Sequence, residues 1–160
     1  MRLKDQKGAS LVEFALILPL FLFLIFGIID FGWYFFVQQT LQYATREGVR
    51  LGLVGGTLQE GENTLSREAS IIKCIKDQAS VAVDPAKLII DIYTVPMNDW
   101  DIQRCGSAAP DAGGPGEYVR VETTYPYKFL TPFIGAFFSG GETKIKAQAT
   151  YRNEMFDTGG

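Results

Sequence analysis

The hydrophobic and polar positions at the start of the chain predict one membrane-spanning helix. No charged or amide residue occurs from Phe14 to Ile29. At about 1.5 Å of rise per residue this run forms about 24 Å of helix, and its apolar flanks extend it past the hydrocarbon thickness of about 30 Å. Glu13 and Asp30 then lie near the two ends of the span, and Trp33 and Tyr34 lie where an aromatic belt is expected.

The charges around this run predict its orientation. Cations precede it at Arg2, Lys4 and Lys7, whereas a long segment of mixed charge follows it. Short cationic flanks stay in the cytoplasm, so the N-terminus is expected there and the residues after about position 40 outside. The stretch is too long for an ordinary secretory signal, and no small-x-small cleavage site follows it. We therefore expect the anchor to stay on the mature protein.

Two residues of this helix each have two interpretations. Pro19 has no amide hydrogen for the Ala15 carbonyl, so it either kinks the helix or is a tolerated membrane proline. Asp30 either marks the outer membrane boundary or pairs with a cation on a partner's helix.

Helical spacing continues beyond the membrane. Apolar or small residues recur along one stripe, and the glycines from Gly52 to Gly61 end it; the stripe consists of Val37, Leu41, Ala44 and Gly48. A second, amphipathic helix is predicted from Asn63 to about Ala82, and Asp84-Pro85 stops it. Its apolar positions are Leu65, Ala69, Ile72 and Ala79.

Three later segments have the pattern of β-strands. Lys87 to Val95 is rich in β-branched residues, and Tyr118 to Tyr125 and Thr143 to Tyr151 alternate apolar with polar positions. The predicted fold class is α+β: a long N-terminal transmembrane helix continuing into a small exported head with a second helix and a short antiparallel sheet.

A glycine- and proline-rich loop from Asn98 to Gly116 separates the first two strands. It lacks the spacing of a phosphate-binding loop. Cys105 in this loop is expected to form a disulfide with Cys74 on the second helix, worth roughly 3–4 kcal/mol in the chain-entropy model. The alternative is two free thiols.

Composition narrows the function classes. The chain has no histidine, a net charge of −3 and a pI near 5.0, so metal sites, nucleic acid and most hydrolase schemes are not expected. An enzyme would depend on carboxylates whose spacing marks no cooperating pair; these are Asp91, Asp99, Asp101 and Asp111. We expect no catalytic residue, no metal and no cofactor.

The segment from Phe129 to Phe138 is unusually apolar for a connection between strands. Its large apolar residues are Phe129, Leu130, Phe133, Ile134 and Phe137. They either cap the end of the sheet as core, or form a contact patch for a partner subunit or for the outer membrane leaflet.

The N-terminal sequence resembles that of one protein family. GASLVEFALILPLFLFLIFGIIDFG, followed by QQTLQYATREGVRLG, is similar to the TadE-like minor pseudopilins of tight-adherence (Tad) pilus systems. YPYKFLTPFIG and KIKAQATYR near the other end are similar in kind. The resemblance is strong over the first 50 residues, moderate over the last 40 and slight between them.

The resemblance implies processing by a prepilin peptidase between Gly8 and Ala9, which makes Glu13 the fifth residue of the mature chain. Glu13 would then pair with the new α-amino group of a neighbouring subunit, which lowers the cost of a carboxylate in hydrocarbon. The alternative is an interfacial Glu13 that reaches water beside Lys7. Phe14 fits this branch of the family, whereas the major pilins favour Tyr there.

The implied organisation is a cationic leader (1–8), a transmembrane and extended helix (9–52) and an exported, pilin-like head (53–160). The implied function is that of a minor pseudopilin in the bacterial inner membrane that assembles, primes or tips a Tad pilus. Its partners would be the prepilin peptidase, other pilins and pseudopilins, the inner-membrane assembly platform and membrane lipid, without nucleic acid. The alternative is a single-pass membrane-anchored binding module outside the cytoplasm.

Overall fold

A computed structural model describes residues 3–102 and 109–155, with side chains from Gly8 onward. The helices are α1 (Leu3–Leu53), α2 (Arg67–Ala79) and α3 (Pro132–Gly135). The strands are β1 (Gln59–Glu60), β2 (Asn63–Thr64), β3 (Ile89–Thr94), β4 (Tyr118–Lys128) and β5 (Glu142–Arg152). Short 3-10 turns occupy Pro85–Lys87 and Ser139–Gly141. The predicted α+β class is confirmed.

The chain forms two compact units. The first, here called the helical unit, comprises the chain up to Phe35 together with Lys128–Thr143. The second, the sheet unit, comprises Phe36–Tyr127 and the chain from Lys144 onward. The connection between β4 and β5, residues 129–141, therefore belongs to the same unit as the apolar part of α1.

The sheet unit is built on the predicted stripe of α1. Val37, Leu41 and Ala44 are at most 1% exposed. Farther along the stripe, Gly48 lies so close to α2 that a Cβ there would be 2.5 Å from Cγ1 of Ile75. The small residue thus allows the two helices to pack closely, and the stripe prediction is confirmed.

The start and the buried face of α2 differ from the prediction. Ser66 caps α2 by accepting a hydrogen bond from the Ala69 amide, so the helix begins at Arg67 rather than at Asn63. The residues before this cap form the short β1–β2 hairpin. The fully buried apolar positions are Ile71, Ile75 and Ala79. Ala69 and Ile72 are only half-buried, because the helix turns the two positions between them, Ser70 and Ile71, toward the core.

All three predicted strands are present, in the order β3-β4-β5. β3 and β4 are antiparallel, with Ile92 opposite Val121. Val119, Val121 and Thr123, which form one side of the alternation predicted for β4, are fully buried. A hydrogen bond of 3.0 Å between the hydroxyls of Thr45 and Thr123 joins β4 to α1.

Arg120 departs from the predicted alternation of β4, because it is only 6% exposed. Its guanidinium donates to the carbonyl of Ile102 at 3.0 Å and to that of Trp100 at 2.9 Å. It also lies over the Trp100 ring, 5.8 Å from the centroid. The residues after β3 therefore cover this arginine and take their hydrogen bonds from it.

The end of the 98–116 loop is fixed to the sheet unit rather than extending into solvent. The Asp111 amide donates to the Ile92 carbonyl at 2.9 Å. Ala112 is fully buried, and its carbonyl accepts from Nδ2 of Asn153 at 2.9 Å and from Arg67. This end of the loop forms part of the core.

Candidate membrane and assembly surface

Helix α1 presents an exposed apolar surface along the uncharged run from Phe14 to Ile29. From Gly8 it is long and apolar enough to cross a membrane, and no other helix in the described part of the chain meets that test. None of its most apolar window is buried within the protein. Pro19 lies within α1, which is helical on both sides of it.

The predicted processing and assembly residues lie on the exposed surface of α1. Gly8, Ala9, Glu13 and Phe14 are all exposed. Among the described residues, no atom beyond the chain neighbours and the local helix backbone lies within 4 Å of the position that a Cβ on Gly8 would occupy. Folding therefore places no steric demand for glycine at position 8.

Asp30 differs from these residues because it is completely buried. One carboxylate oxygen accepts from the Leu130 amide at 2.8 Å, and the other accepts from the Thr131 amide at 3.0 Å and from the Thr131 hydroxyl. Hydrogen bonds to a charged acceptor are each worth about 1.5–3 kcal/mol. Asp30 thus has partners within its own chain, an arrangement that neither sequence interpretation included.

Aromatic contacts join the β4–β5 connection to α1 beside Asp30. The ring of Phe129 stacks on that of Phe138 with 4.3 Å between centroids, and on that of Tyr34 with 6.2 Å. Phe31 meets Phe129 edge to face at 6.3 Å. Asp30 and these rings therefore fix the start of the connection against α1.

The apolar residues of the connection divide into two sets. Phe129 and Ile134 are buried, at 7% and 6% exposure. Leu130, Phe133 and Phe137 are 64%, 68% and 77% exposed. The buried set packs on α1 rather than capping the end of the sheet, and the exposed set leaves an apolar surface whose role as a contact patch stays a prediction.

The cysteine prediction is only partly within the described residues. Cys74 lies half-buried on α2, and Cys105 lies outside the described residues, so the disulfide stays a prediction. Burial raises the pKa of the Cys74 thiol, with smaller contributions from Glu47 and Asp77. A reduced Cys74 would therefore react slowly as a nucleophile near neutral pH.

The carboxylates considered for catalysis do not form a metal-binding cluster within the described ranges. Asp111 instead fixes its own loop, accepting from the Gly113 amide at 2.9 Å and from the Thr94 hydroxyl at 3.2 Å. The carboxylate of Glu47 binds Arg50 at 2.6 Å, and this hydrogen bond lowers the pKa of Glu47. Asp111 and Glu47 therefore have partners within their own chain.

Sequence reasoning missed Thr131, which donates to Asp30 through both its amide and its hydroxyl. The two residues are 101 positions apart, and no local pattern relates them. The available signal was that each partner lies in an unusual part of the sequence: Asp30 is a carboxylate in an apolar helix, and Thr131 belongs to an apolar segment between strands.

These features define a class of protein: an α+β protein with one candidate membrane-spanning helix, whose exposed apolar surface is its main candidate interaction surface. Residues 8–50 match the family model described as TadE-like protein. This match confirms the predicted resemblance over the N-terminal segment. Neither the curated proteins nor the solved structures yield a match.

The family match bears on function at a coarse level. It supports involvement in a Tad pilus system, with other pilus components as partners. The TadE-like family is structural rather than catalytic. The apolar helix is consistent with a membrane-anchored component of such a system.

Proposed function

We propose that the chain is a minor pseudopilin that takes part in assembly, priming or tip formation of a Tad pilus. A prepilin peptidase removes residues 1–8. The mature chain, which begins at Ala9, stays anchored in the inner membrane, with its N-terminus on the cytoplasmic side, until it is incorporated into the pilus. The observation that carries this proposal is the TadE-like match, which begins at Gly8 and extends to Arg50.

The exposure of Gly8 and its neighbours supports the processing step. A peptidase needs access to the bond that it cuts, and Gly8 and Ala9 are exposed. Because no described residue packs against Gly8 from outside its own helical turn, its presence fits recognition by the enzyme better than a packing requirement. The partner in this step is the prepilin peptidase.

Glu13 is the residue that acts in the proposed assembly step. Its side chain is exposed on an apolar helix surface, where a lone carboxylate in hydrocarbon costs about 2.5–3.5 kcal/mol. Pairing with the α-amino group of Ala9 on a neighbouring subunit removes much of this cost. Glu13 thereby favours one register between subunits, with Phe14 and Pro19 on the same assembling helix.

We expect Glu13→Gln to separate processing from assembly. The amide keeps the size of the side chain but lacks the charge that pairs with the neighbouring amine. The variant should be cut normally, and its incorporation into sheared pili should fall by at least fivefold. The measurement is the ratio of pilus-associated to membrane-associated protein in the native host.

Glu62→Gln is the matched control, because Glu62 is exposed in the sheet unit and lies outside the TadE-like segment. It should leave incorporation unchanged. Equal incorporation of Glu13→Gln and the unaltered chain would overturn the role of Glu13.

A further inference from the structure

The β4–β5 connection lies beside the most apolar part of α1. A groove of 540 Å³ is lined by Phe23, Leu24 and Gly27 of α1 and by Ile134 and Phe137 of the connection, among other apolar side chains. Phe23 and Leu24 lie within the uncharged run that is expected to cross the hydrocarbon. With α1 crossing the bilayer as in the proposed function, this packing places the connection at the depth of the bilayer rather than above it.

The charge pattern of the connection fits that depth. No charged residue occurs from Phe129 to Gly141, and Lys128 and Glu142 stand immediately outside its two ends. Charged side chains are costly in hydrocarbon. The uncharged stretch matches the part of the chain that packs on α1.

Backbone polar groups at membrane depth need partners, since lipid supplies none. Asp30 accepts from the amides of Leu130 and Thr131, and Pro132 has no amide hydrogen. The later amides of Gly135, Ala136, Phe137 and Phe138 donate to carbonyls of the connection at 2.9–3.1 Å. The buried carboxylate thus satisfies the amides that precede the short helix α3.

The outward side chains point to lipid as the occupant. Leu130, Phe133 and Phe137 continue the exposed apolar surface of α1, where Phe23 and Leu24 are 44% and 55% exposed. Membrane helix partners usually approach across small residues, whereas the outward side chains of this surface are large and Gly27 is covered by Ile134 of the connection. Acyl chains adapt to such a surface without a matching shape.

We propose that residues 129–141 form a re-entrant segment that inserts into the outer leaflet beside α1, with Asp30 as the residue that positions it. The occupant of the exposed apolar surface is the acyl chains of the bilayer. This inference rests on the membrane anchoring in the proposed function and adds a second membrane contact to it.

Tryptophan quenching by brominated lipid tests the insertion. The full chain carries Trp33→Phe and Trp100→Phe, which removes both native tryptophans, and Phe133→Trp adds one indole in the connection. It is reconstituted in phosphatidylcholine–phosphatidylglycerol vesicles with or without bromine on the acyl chains. Leu16→Trp on α1 and Met97→Trp in the sheet unit, 74% and 78% exposed, are the membrane and water controls.

We expect the indole of Phe133→Trp to lose at least half of its fluorescence in brominated vesicles, as Leu16→Trp does, while Met97→Trp loses little. Quenching of Leu16→Trp alone would overturn the insertion and leave the anchor standing. If neither Phe133→Trp nor Leu16→Trp is quenched, both the insertion of the connection and the membrane anchoring of α1 are overturned. An unquenched indole at position 133 with an apolar emission spectrum would overturn it in favour of a second copy of the chain.

Asp30→Ala tests the positioning role in the same background. Without the carboxylate, the amides of Leu130 and Thr131 lose their acceptor in lipid, so the connection should leave the leaflet and the quenching at position 133 should fall at least twofold. Asp30→Asn keeps one acceptor oxygen, so its quenching at position 133 should lie between that of Asp30→Ala and that of the chain with Asp30 unchanged. Unchanged quenching in Asp30→Ala, with Leu16→Trp still quenched, would show that Asp30 does not hold the segment.

Discussion

At the scale of single residues, two acids of α1 meet the cost of a carboxylate near lipid in different ways. Asp30 is buried and accepts hydrogen bonds from its own chain. Glu13 is exposed, and its proposed partner belongs to another subunit. One therefore serves the fold of the monomer, and the other is proposed to serve assembly.

Tyr151 is a polar residue whose hydroxyl is buried without a hydrogen-bond partner among the described residues. Burial also raises the pKa of this phenol to about 12. Since an unsatisfied buried polar group costs about 1–3 kcal/mol, we expect Tyr151→Phe to raise the free energy of unfolding by about 1 kcal/mol at neutral pH. Chemical denaturation of the full chain in detergent micelles measures this difference.

The pKa shift of Tyr151 adds a pH dependence. The native state keeps the phenol proton to a higher pH than the unfolded state, whose pKa is near 10.0. Its contribution to stability is therefore constant below that pH and is lost as the pH rises from 10 toward 12. Tyr151→Phe should lack this loss, so its advantage should grow in alkali. An advantage that stays constant there would contradict the assignment.

At the scale of elements, the close packing of α1 on α2 depends on glycine. A Cβ on Gly48 would lie 2.5 Å from Cγ1 of Ile75 and 3.3 Å from the Ile71 carbonyl oxygen. We expect Gly48→Ala to lower the free energy of unfolding by about 1–3 kcal/mol, because one of the helices must shift. Denaturation followed by circular dichroism tests this.

Gly32→Ala is the matched control for Gly48→Ala. Gly32 also lies within α1, but no atom lies within 4 Å of its Cβ position. The control should keep or slightly increase stability, because alanine favours helix. Similar effects at both positions would mean that helix propensity, rather than packing, governs this element.

The predicted disulfide would connect α2 to the 98–116 loop. If Cys74 and Cys105 are bonded, the intact mass without reductant is lower by their two thiol hydrogens, and neither sulfur is alkylated after unfolding. Alkylation under native conditions is a poor test, because burial raises the pKa of Cys74 and slows its reaction. Two alkylated cysteines in the unfolded, unreduced chain would rule the bond out.

Elements that depend on local periodicity could be predicted from the sequence. The apolar run, the stripe from Val37 to Gly48 and the three strands each extend over enough residues to reveal their period. The β1–β2 hairpin could not be predicted, since two-residue strands show no alternation. The burial of Arg120 was hidden as well, because it depends on how the chain near Trp100 folds back.

The candidate site was predictable only in part, for a related reason. Gly8, Ala9 and Glu13 follow one another in a short motif. The contact between Asp30 and Thr131 joins residues 101 positions apart, and its physical reason is the need of the connection for a hydrogen-bond acceptor. The sequence shows that Asp30 and the apolar segment containing Thr131 are each unusual, but it does not show that they are in contact.

At the scale of the whole molecule, the apolar part of α1 and the β4–β5 connection form one unit, and the remaining elements form another. The proposed function requires the helical unit first to remain in the membrane and then to enter a filament. Removal of the leader is the step on which this sequence of events depends.

The most direct test of the account is the N-terminal sequence and intact mass of the protein from the membranes of its native host. We expect a chain that begins at Ala9, and we expect Gly8→Ala to block this cut without loss of folding, since no described residue packs against Gly8 from outside its own helical turn. A chain that still begins at Met1 in a host with an active prepilin peptidase would contradict the account. It would favour a membrane-anchored binding module instead.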